Sequence, residues 1–318
     1  MADRVRLLVL DDYQDAARRY GPWDRVAGTV DLDVERRHLE GEELVARLQG
    51  AAVVLAMRER TRFDAALFAR LPDLRLLVST GPVNAAVDLD AARAHGVIVS
   101  GTGITQHPTA ELTWGLILGL ARGLAAEEAN VRAGGWQLGV GTDLAGRTLG
   151  VIGLGRLGRR VARVAQAFDM TVLAWSANLD ADEARGLGCE PVGKEELLRR
   201  IDVVTIHQRL SDRTRGLIGA AELALMRPGA YLVNTSRGPI VDEAALVAAL
   251  HEGRLGGAAL DVFDVEPLPA DSPLRATPNT LLSPHLGYVT GETYERFFSD
   301  AVADVEAWLA GAPVRVLG

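Results

Sequence analysis

The sequence has one cysteine, Cys189, and one lysine, Lys194. A lone thiol excludes an intramolecular disulfide framework and any multi-cysteine metal site, which fits a reducing compartment. With lysine almost missing, arginine carries nearly all the positive charge, and no basic run occurs. Acidic groups outnumber basic ones, 42 to 34, for a formal net charge of −8. That balance argues against nucleic acid as the main ligand. Long apolar runs are also absent. The longest, residues 112–121, is about half of the ~20 residues that a membrane-spanning helix needs. The opening stretch, residues 4–12, has too short an apolar core for a signal peptide and no small-residue cleavage site. The expectation is a soluble, cytoplasmic protein with no membrane partner.

What is present suits globular cores. A chain of 318 residues predicts about two domains at roughly 150 residues each. A hydrophobic content of 48% with 24% charged residues excludes wholesale disorder. Short apolar runs predict strands over 5–10, 30–35, 52–56, 74–79 and 96–100, with helical stretches at 42–48, 65–71 and 89–95. A long apolar helix over 109–122 and a polar one to about 132 follow. A second strand series covers 148–153, 171–175, 203–207, 231–235, 257–261 and 280–282, with helices such as 243–251 between. Strands alternating with helices signal βαβ units and parallel sheets. The fold class is therefore α/β, with two doubly wound parallel-sheet domains that meet near residue 100. Residues 292–309 have helical periodicity. A return of that helix to the first domain would make the domain discontinuous.

The sharpest local signal is a G-x-G-x-x-G turn formed by Gly153, Gly155 and Gly158, with Leu154, Arg156 and Leu157 between. It follows an apolar strand and precedes a helix expected over 159–168. The first glycine permits the tight turn, the second lets backbone approach a pyrophosphate, and the third lets helix and strand pack closely. Free N–H groups at the helix start then meet the diphosphate. Gly153, Gly155, Arg156, Leu157 and Gly158 are thus candidate dinucleotide contacts. A carboxylate at the end of the next strand would bond the ribose 2′-OH of NAD and repel a 2′-phosphate. That position, 23 residues after Gly153, holds Ser176. Ser176 can bond either ribose form, so NAD is the expected cofactor and NADP stays open.

Three motifs follow in order: Val233-Asn234-Thr235-Ser236-Arg237-Gly238, then Ala259-Leu260-Asp261-Val262-Phe263-Asp264-Val265-Glu266-Pro267, then Ser283-Pro284-His285-Leu286-Gly287. With the glycine turn, they resemble the NAD-dependent D-2-hydroxyacid dehydrogenase family, which includes phosphoglycerate dehydrogenases and glyoxylate/hydroxypyruvate reductases. The resemblance runs over nearly the whole chain. It implies a Rossmann NAD-binding domain, 101–289, inserted in a flavodoxin-like substrate domain, 1–100, that 290–318 completes. It also implies hydride transfer between a nicotinamide and C2 of a small 2-oxo or 2-hydroxy acid, and a homodimer.

The chemistry of the residues agrees with these roles. Arg237 offers a planar, permanently charged fork suited to a carboxylate or a polarised keto oxygen. His285 can donate a proton to that oxygen and recover it in reverse. Glu266 resembles the family's carboxylate partner of this histidine, where a negative charge stabilises imidazolium. By the same resemblance, Asp261 faces the nicotinamide carboxamide, and Thr235, Ser236, Arg237, His285 and Gly287 line the cofactor. No metal is required, because His285 and Arg237 supply the electrophilic assistance. The other histidines, His207 among them, lack metal-ligand spacing.

In the first domain, Arg58 matches an arginine that approaches substrate in some relatives. Thr80 and Gly81 begin a loop whose amides bind the substrate carboxylate in the family. Here Pro82 removes one N–H donor and Val83 replaces a glycine, the clearest departure from the pattern. Arg209, standing where relatives often have proline, is another. Two rivals remain: a non-catalytic NAD(H)-sensing scaffold of corepressor type, and oxidation of an unusual acid such as formate or phosphite.

Overall fold

The computed structural model describes residues 4–318. The chain divides into two compact units, Met1–Thr105 with Val289–Gly318, and Gln106–Tyr288. The first holds five parallel strands: β1 (Val5–Val9), β2 (Val30–Val34), β3 (Val53–Ala56), β4 (Leu76–Ser79) and β5 (Ile98–Gly101), in the order β2-β1-β3-β4-β5. This is the flavodoxin-like order. The second holds seven: β6 (Thr148–Ile152), β7 (Thr171–Trp175), β8 (Glu190–Pro191), β9 (Val203–Ile206), β10 (Tyr231–Asn234), β11 (Gly257–Leu260) and β12 (Thr280–Leu282), ordered β12-β11-β10-β9-β6-β7-β8. The reversal of direction at β6 is the Rossmann switch point.

Parallel strands covered by helices on both faces read as unbroken apolar runs. β3, β4, β9 and β11 are buried at every position. The expected strands 5–10, 30–35, 148–153, 203–207, 231–235 and 257–261 each end one residue sooner. Their last residues leave the ladder and open the loops at the carboxyl edge. β8 has no expected counterpart, because an edge strand of two residues carries no periodicity. The helix after the glycine turn is Arg156–Ala167, starting earlier than 159 because Gly155 is its N-cap.

The helix Gly291–Leu309 belongs to the first unit. Tyr294, Phe297, Phe298, Ala301, Val302 and Val305 are buried along one face, the spacing of a helix that meets a core. Tyr294 packs against Tyr20 at 6.1 Å between ring centres, and Phe298 against Trp23 at 6.4 Å. Beyond it, the tail covers the β5 edge. Gly101 N–H donates to Arg315 O at 3.0 Å and Leu317 N–H to Val99 O at 2.8 Å. An exposed edge invites pairing with other chains, and this tail occupies it.

At the glycine turn, close approach replaces side chains. Gly153 has φ +101°, and a Cβ there would stand 2.4 Å from His207 O. A Cβ on Gly158 would stand 2.1 Å from Gly153 O. Gly158→Ala therefore pushes the Arg156–Ala167 helix off β6. The expected loss is about 1–3 kcal/mol of unfolding free energy, typical of overpacking; urea denaturation of the two proteins measures it.

Candidate active site

β10, β11 and β12 lie side by side and parallel. Their carboxyl ends open on one edge, where α/β sheets bind ligands. Residues 235–237 follow β10, 261–266 follow β11 and 283–287 follow β12, so three motifs distant in sequence become one cluster.

His285 has φ +55°, a left-handed conformation uncommon for a non-glycine residue and found where surroundings hold it. Its Nδ1 lies 2.6 Å from Glu266 Oε2, with the two side chains 19% and 28% exposed. The bond fixes the ring and leaves Nε2 as the nitrogen able to meet a ligand. The imidazole and the Tyr288 ring meet nearly at right angles, with their centres 5.5 Å apart. Glu266 Oε1 accepts from Phe263 N–H at 2.9 Å. Burial pushes the Glu266 carboxyl up, but the hydrogen bonds from His285 and Phe263 N–H and the charges of His285 and Arg237 outweigh it. The carboxyl ends below its ordinary value.

The strained turn has an anchor. Asp261 is fully buried. Its Oδ1 accepts from Ser283 Oγ at 2.6 Å and Leu286 N–H at 2.7 Å, and Oδ2 accepts from Gly287 N–H at 2.8 Å. These donors flank His285 on both sides. Burial still holds the carboxyl above its ordinary range against them. The family resemblance points Asp261 at a carboxamide; its shown partners are the turn itself.

The Arg237 turn is held in a similar way. Asn234 Nδ2 donates to Arg237 O at 2.8 Å, and Asn234 Oδ1 accepts from Ser236 N–H at 3.0 Å. Ser236 Oγ donates to Ile206 O at 2.6 Å, and Thr235 Oγ1 meets Thr113 Oγ1 at 3.0 Å. Both hydroxyls thus tie the turn to its own unit. Gly238 is required next door: a Cβ there would fall 2.1 Å from the Phe263 carbonyl carbon. Asn234, Gly238 and Ser283 stood inside the quoted motifs, but only contact reveals that they hold Arg237 and His285 in place.

The glycine turn sits at the carboxyl end of β6 and fits a dinucleotide. Gly155 is exposed, with nothing within 4 Å of where a Cβ would stand. The helix Arg156–Ala167 offers its N-terminus beside it. Arg156 is exposed and Leu157 half-buried. Ser176 follows β7 and lines a pocket of about 350 Å³. His207, just past the end of β9, is half-buried, its Nε2 3.0 Å from Thr205 Oγ1. Burial pulls its imidazole down to about 4, so it is neutral at physiological pH.

Arg58, Thr80 and Gly81 lie together on the first unit, at the ends of β3 and β4. Arg58 has φ +55°. Its N–H donates to Thr80 Oγ1 at 2.8 Å and its guanidinium to Thr80 O at 2.9 Å. Thr80 and Gly81 do not hold free amides for a substrate. Thr80 N–H donates to Ala56 O at 3.0 Å, and Gly81 N–H to Thr102 Oγ1 at 2.7 Å. Pro82 has no N–H, so the first amide past this stretch is that of Val83.

Comparison with known proteins follows the same lines. The family model described as "D-isomer specific 2-hydroxyacid dehydrogenase, NAD binding domain" matches residues 114–287. Glyoxylate reductase of Aeropyrum pernix is 40% identical over 260 residues, 79% of this chain and 78% of that protein. D-3-phosphoglycerate dehydrogenase of Mycobacterium tuberculosis is 37% identical over 284 residues, 87% of this chain. The chain spans about half the length of that relative, 53%. The crystal structure of a phosphoglycerate oxidoreductase from Vibrio cholerae superposes with a TM-score of 0.93 at 35% identity, over 97% of this chain and all of that one.

Stability should follow the Glu266 carboxylate. Its pKa is lowered on folding from an ordinary 4.5. The stabilisation is therefore present above that value and lost as pH falls through the lowered one. The difference in unfolding free energy between wild type and Glu266→Gln should stand at neutral pH and close in strong acid, as paired urea titrations would record.

Proposed function

The chain belongs to the D-isomer specific 2-hydroxyacid dehydrogenase family, and from that premise we propose how its own residues carry the family's reaction. It is an NAD-dependent oxidoreductase acting on the CH–OH group of its donor, interconverting a small 2-oxo and 2-hydroxy acid. Nothing in its relatives favours a non-catalytic scaffold. A nicotinamide cofactor, when bound, would supply the hydride donor or acceptor for C2 of the substrate acid. The glycine turn, Arg156, Leu157, Ser176, Thr235, Ser236, Asp261 and Gly287 are the residues proposed to hold it.

In reduction, His285 gives a proton from Nε2 to the substrate keto oxygen; in oxidation it takes that proton back. Glu266 stabilises the imidazolium and keeps Nε2 outward. Arg237 holds the substrate carboxylate or polarises the keto oxygen through two parallel N–H donors. Asp261 sets the His285 turn. Arg58 is the first unit's candidate for the acid group, in place of the engaged Thr80 and Gly81 amides. The observation that carries this reading is the 2.6 Å His285–Glu266 bond on strand ends adjacent to Arg237.

The substrate proposed is a 2-oxo acid of the size of glyoxylate, supported by the relative matched over most of its length. A panel of 2-oxo acids assayed with NADH and NADPH tests it. His285→Ala should lose on the order of 10²–10⁴-fold in kcat, the range of general acid catalysis. Arg237→Lys should fail as well, because an ammonium lacks the planar fork. Glu266→Gln should lower kcat, because His285 loses the carboxylate that orients its ring. Near-wild-type turnover by a folded His285→Ala protein would overturn the mechanism.

A homodimer in the cytoplasm completes the proposal. Leu124, Val131, Trp136, Leu138 and Val140 are all exposed within one short segment, Trp136 at 75% and Val140 fully. Such concentration of apolar surface is typical of interfaces. Trp136→Glu with Val140→Asp should shift the mass measured by light scattering from two chains to one.

A further inference from the structure

The pocket beyond β7 has a composition that the dinucleotide turn does not explain. It is lined by Ser176 and Asn178 from the end of β7 and by Arg209, Ser211, Arg213 and Thr214 from the loop after β9. No carboxylate lines it. The nearest acid past the strand, Asp180, is turned to its own helix, where its Oδ1 accepts from the N–H groups of Asp182 and Glu183 at 2.9 Å. Asp212 lies between the two arginines in sequence but is not part of the lining.

Both arginines are uncompensated. Arg159, Arg185 and Arg200 in the same unit each hold a carboxylate at 2.7–2.8 Å. Among the described residues, neither Arg209 nor Arg213 has a carboxylate within 4.0 Å. Their loop is also built rather than loose. Thr214 Oγ1 donates to Arg209 O at 2.7 Å and accepts from Ser211 N–H at 2.8 Å. Thr214 thereby fixes the backbone between the two guanidinium groups.

Two guanidinium groups, flanked by hydroxyl and amide donors in a concave site without an acid, match a phosphate dianion. They match a neutral 2′-hydroxyl poorly, since no carboxylate is there to accept its hydrogen bond. We propose that this pocket is a phosphomonoester subsite for the adenosine 2′-phosphate, with Arg209 and Arg213 as its selectivity residues. The enzyme then takes NADP(H) at least as readily as NAD(H). The inference rests on the dinucleotide reading of the Gly153–Gly158 turn and adds the identity of the ribose substituent. Sequence adjacency points only to Ser176; the arginines arrive from the neighbouring crossover.

The test is titration calorimetry of the full chain with NADH and NADPH, with 2′,5′-ADP and 5′-AMP as competitors. Wild type should bind NADPH as tightly as NADH or more so, and 2′,5′-ADP should compete at least tenfold better than 5′-AMP. Arg213→Gln and Arg209→Gln should each lower the NADPH:NADH affinity ratio by about tenfold, the scale of one lost charge-assisted bond. Ser176→Asp should lower it further by placing a negative charge against the phosphate. Arg185→Gln removes equal charge outside the pocket and should leave the ratio alone.

Binding of NADH with NADPH weaker by a hundredfold would overturn the subsite and leave the dinucleotide reading intact. An equal loss of both cofactors in Arg213→Gln would also overturn it, assigning that arginine to the shared diphosphate or to the loop. Inorganic phosphate displacing NADPH no better than NADH would count the same way. Failure of both cofactors to bind would overturn the dinucleotide reading and this one with it.

Discussion

The site depends on one buried carboxylate. Asp261 sits at the end of β11 with no exposure, and its two oxygens accept from a hydroxyl and two amides of the neighbouring turn. Leaving those donors unsatisfied in the interior would cost roughly 1–3 kcal/mol each. That penalty can hold a histidine at positive φ, a conformation costing of order 1–3 kcal/mol by itself. With the backbone of His285 so held, its ring reaches Glu266 and presents Nε2. The geometry of the His285–Glu266 pair is therefore a consequence of hydrogen-bond satisfaction one strand away.

The same device recurs across the strand ends. Asn234 ties the Arg237 turn by donating and accepting within three residues. Asp11, buried after β1 with φ +56°, joins His38 at 2.8 Å and Thr61 at 2.5 Å. A parallel sheet concentrates its loops on one edge, and each loop needs a polar side chain to close its backbone bonds. Residues that end strands here are consequently positioning groups for those loops.

In the first unit the ends of two neighbouring strands close on each other in the same way. Thr80 and Gly81 follow β4, and their N–H groups serve Ala56 and Thr102. Arg58 closes over that stretch, its guanidinium on Thr80 O. Recognition of an acid by a permanently charged fork is less tied to backbone shape than recognition by a cradle of amides.

The sequence by itself determined the two parallel-sheet units and the glycine turn, and it singled out Arg237, Glu266 and His285 as the candidates for the chemistry. Apolar runs with helical spacers and three ordered motifs are local patterns, and local patterns survive in one dimension. Strand ends were legible only to within a residue or two, because the last residue of a run is apolar whether or not it stays in the ladder. The two-residue strand β8 left no trace, since its pairing comes from β7 and not from its own residues. Tertiary structure alone decided that Asp261 braces the turn of His285, that the Thr80 and Gly81 amides are engaged, and that Arg209 and Arg213 stand beside Ser176. Each of these joins residues more than twenty positions apart through a hydrogen bond or a shared pocket. Parallel pairing requires a crossover between neighbouring strands, so the partners of a strand end lie a whole βα unit away, beyond the reach of any local motif.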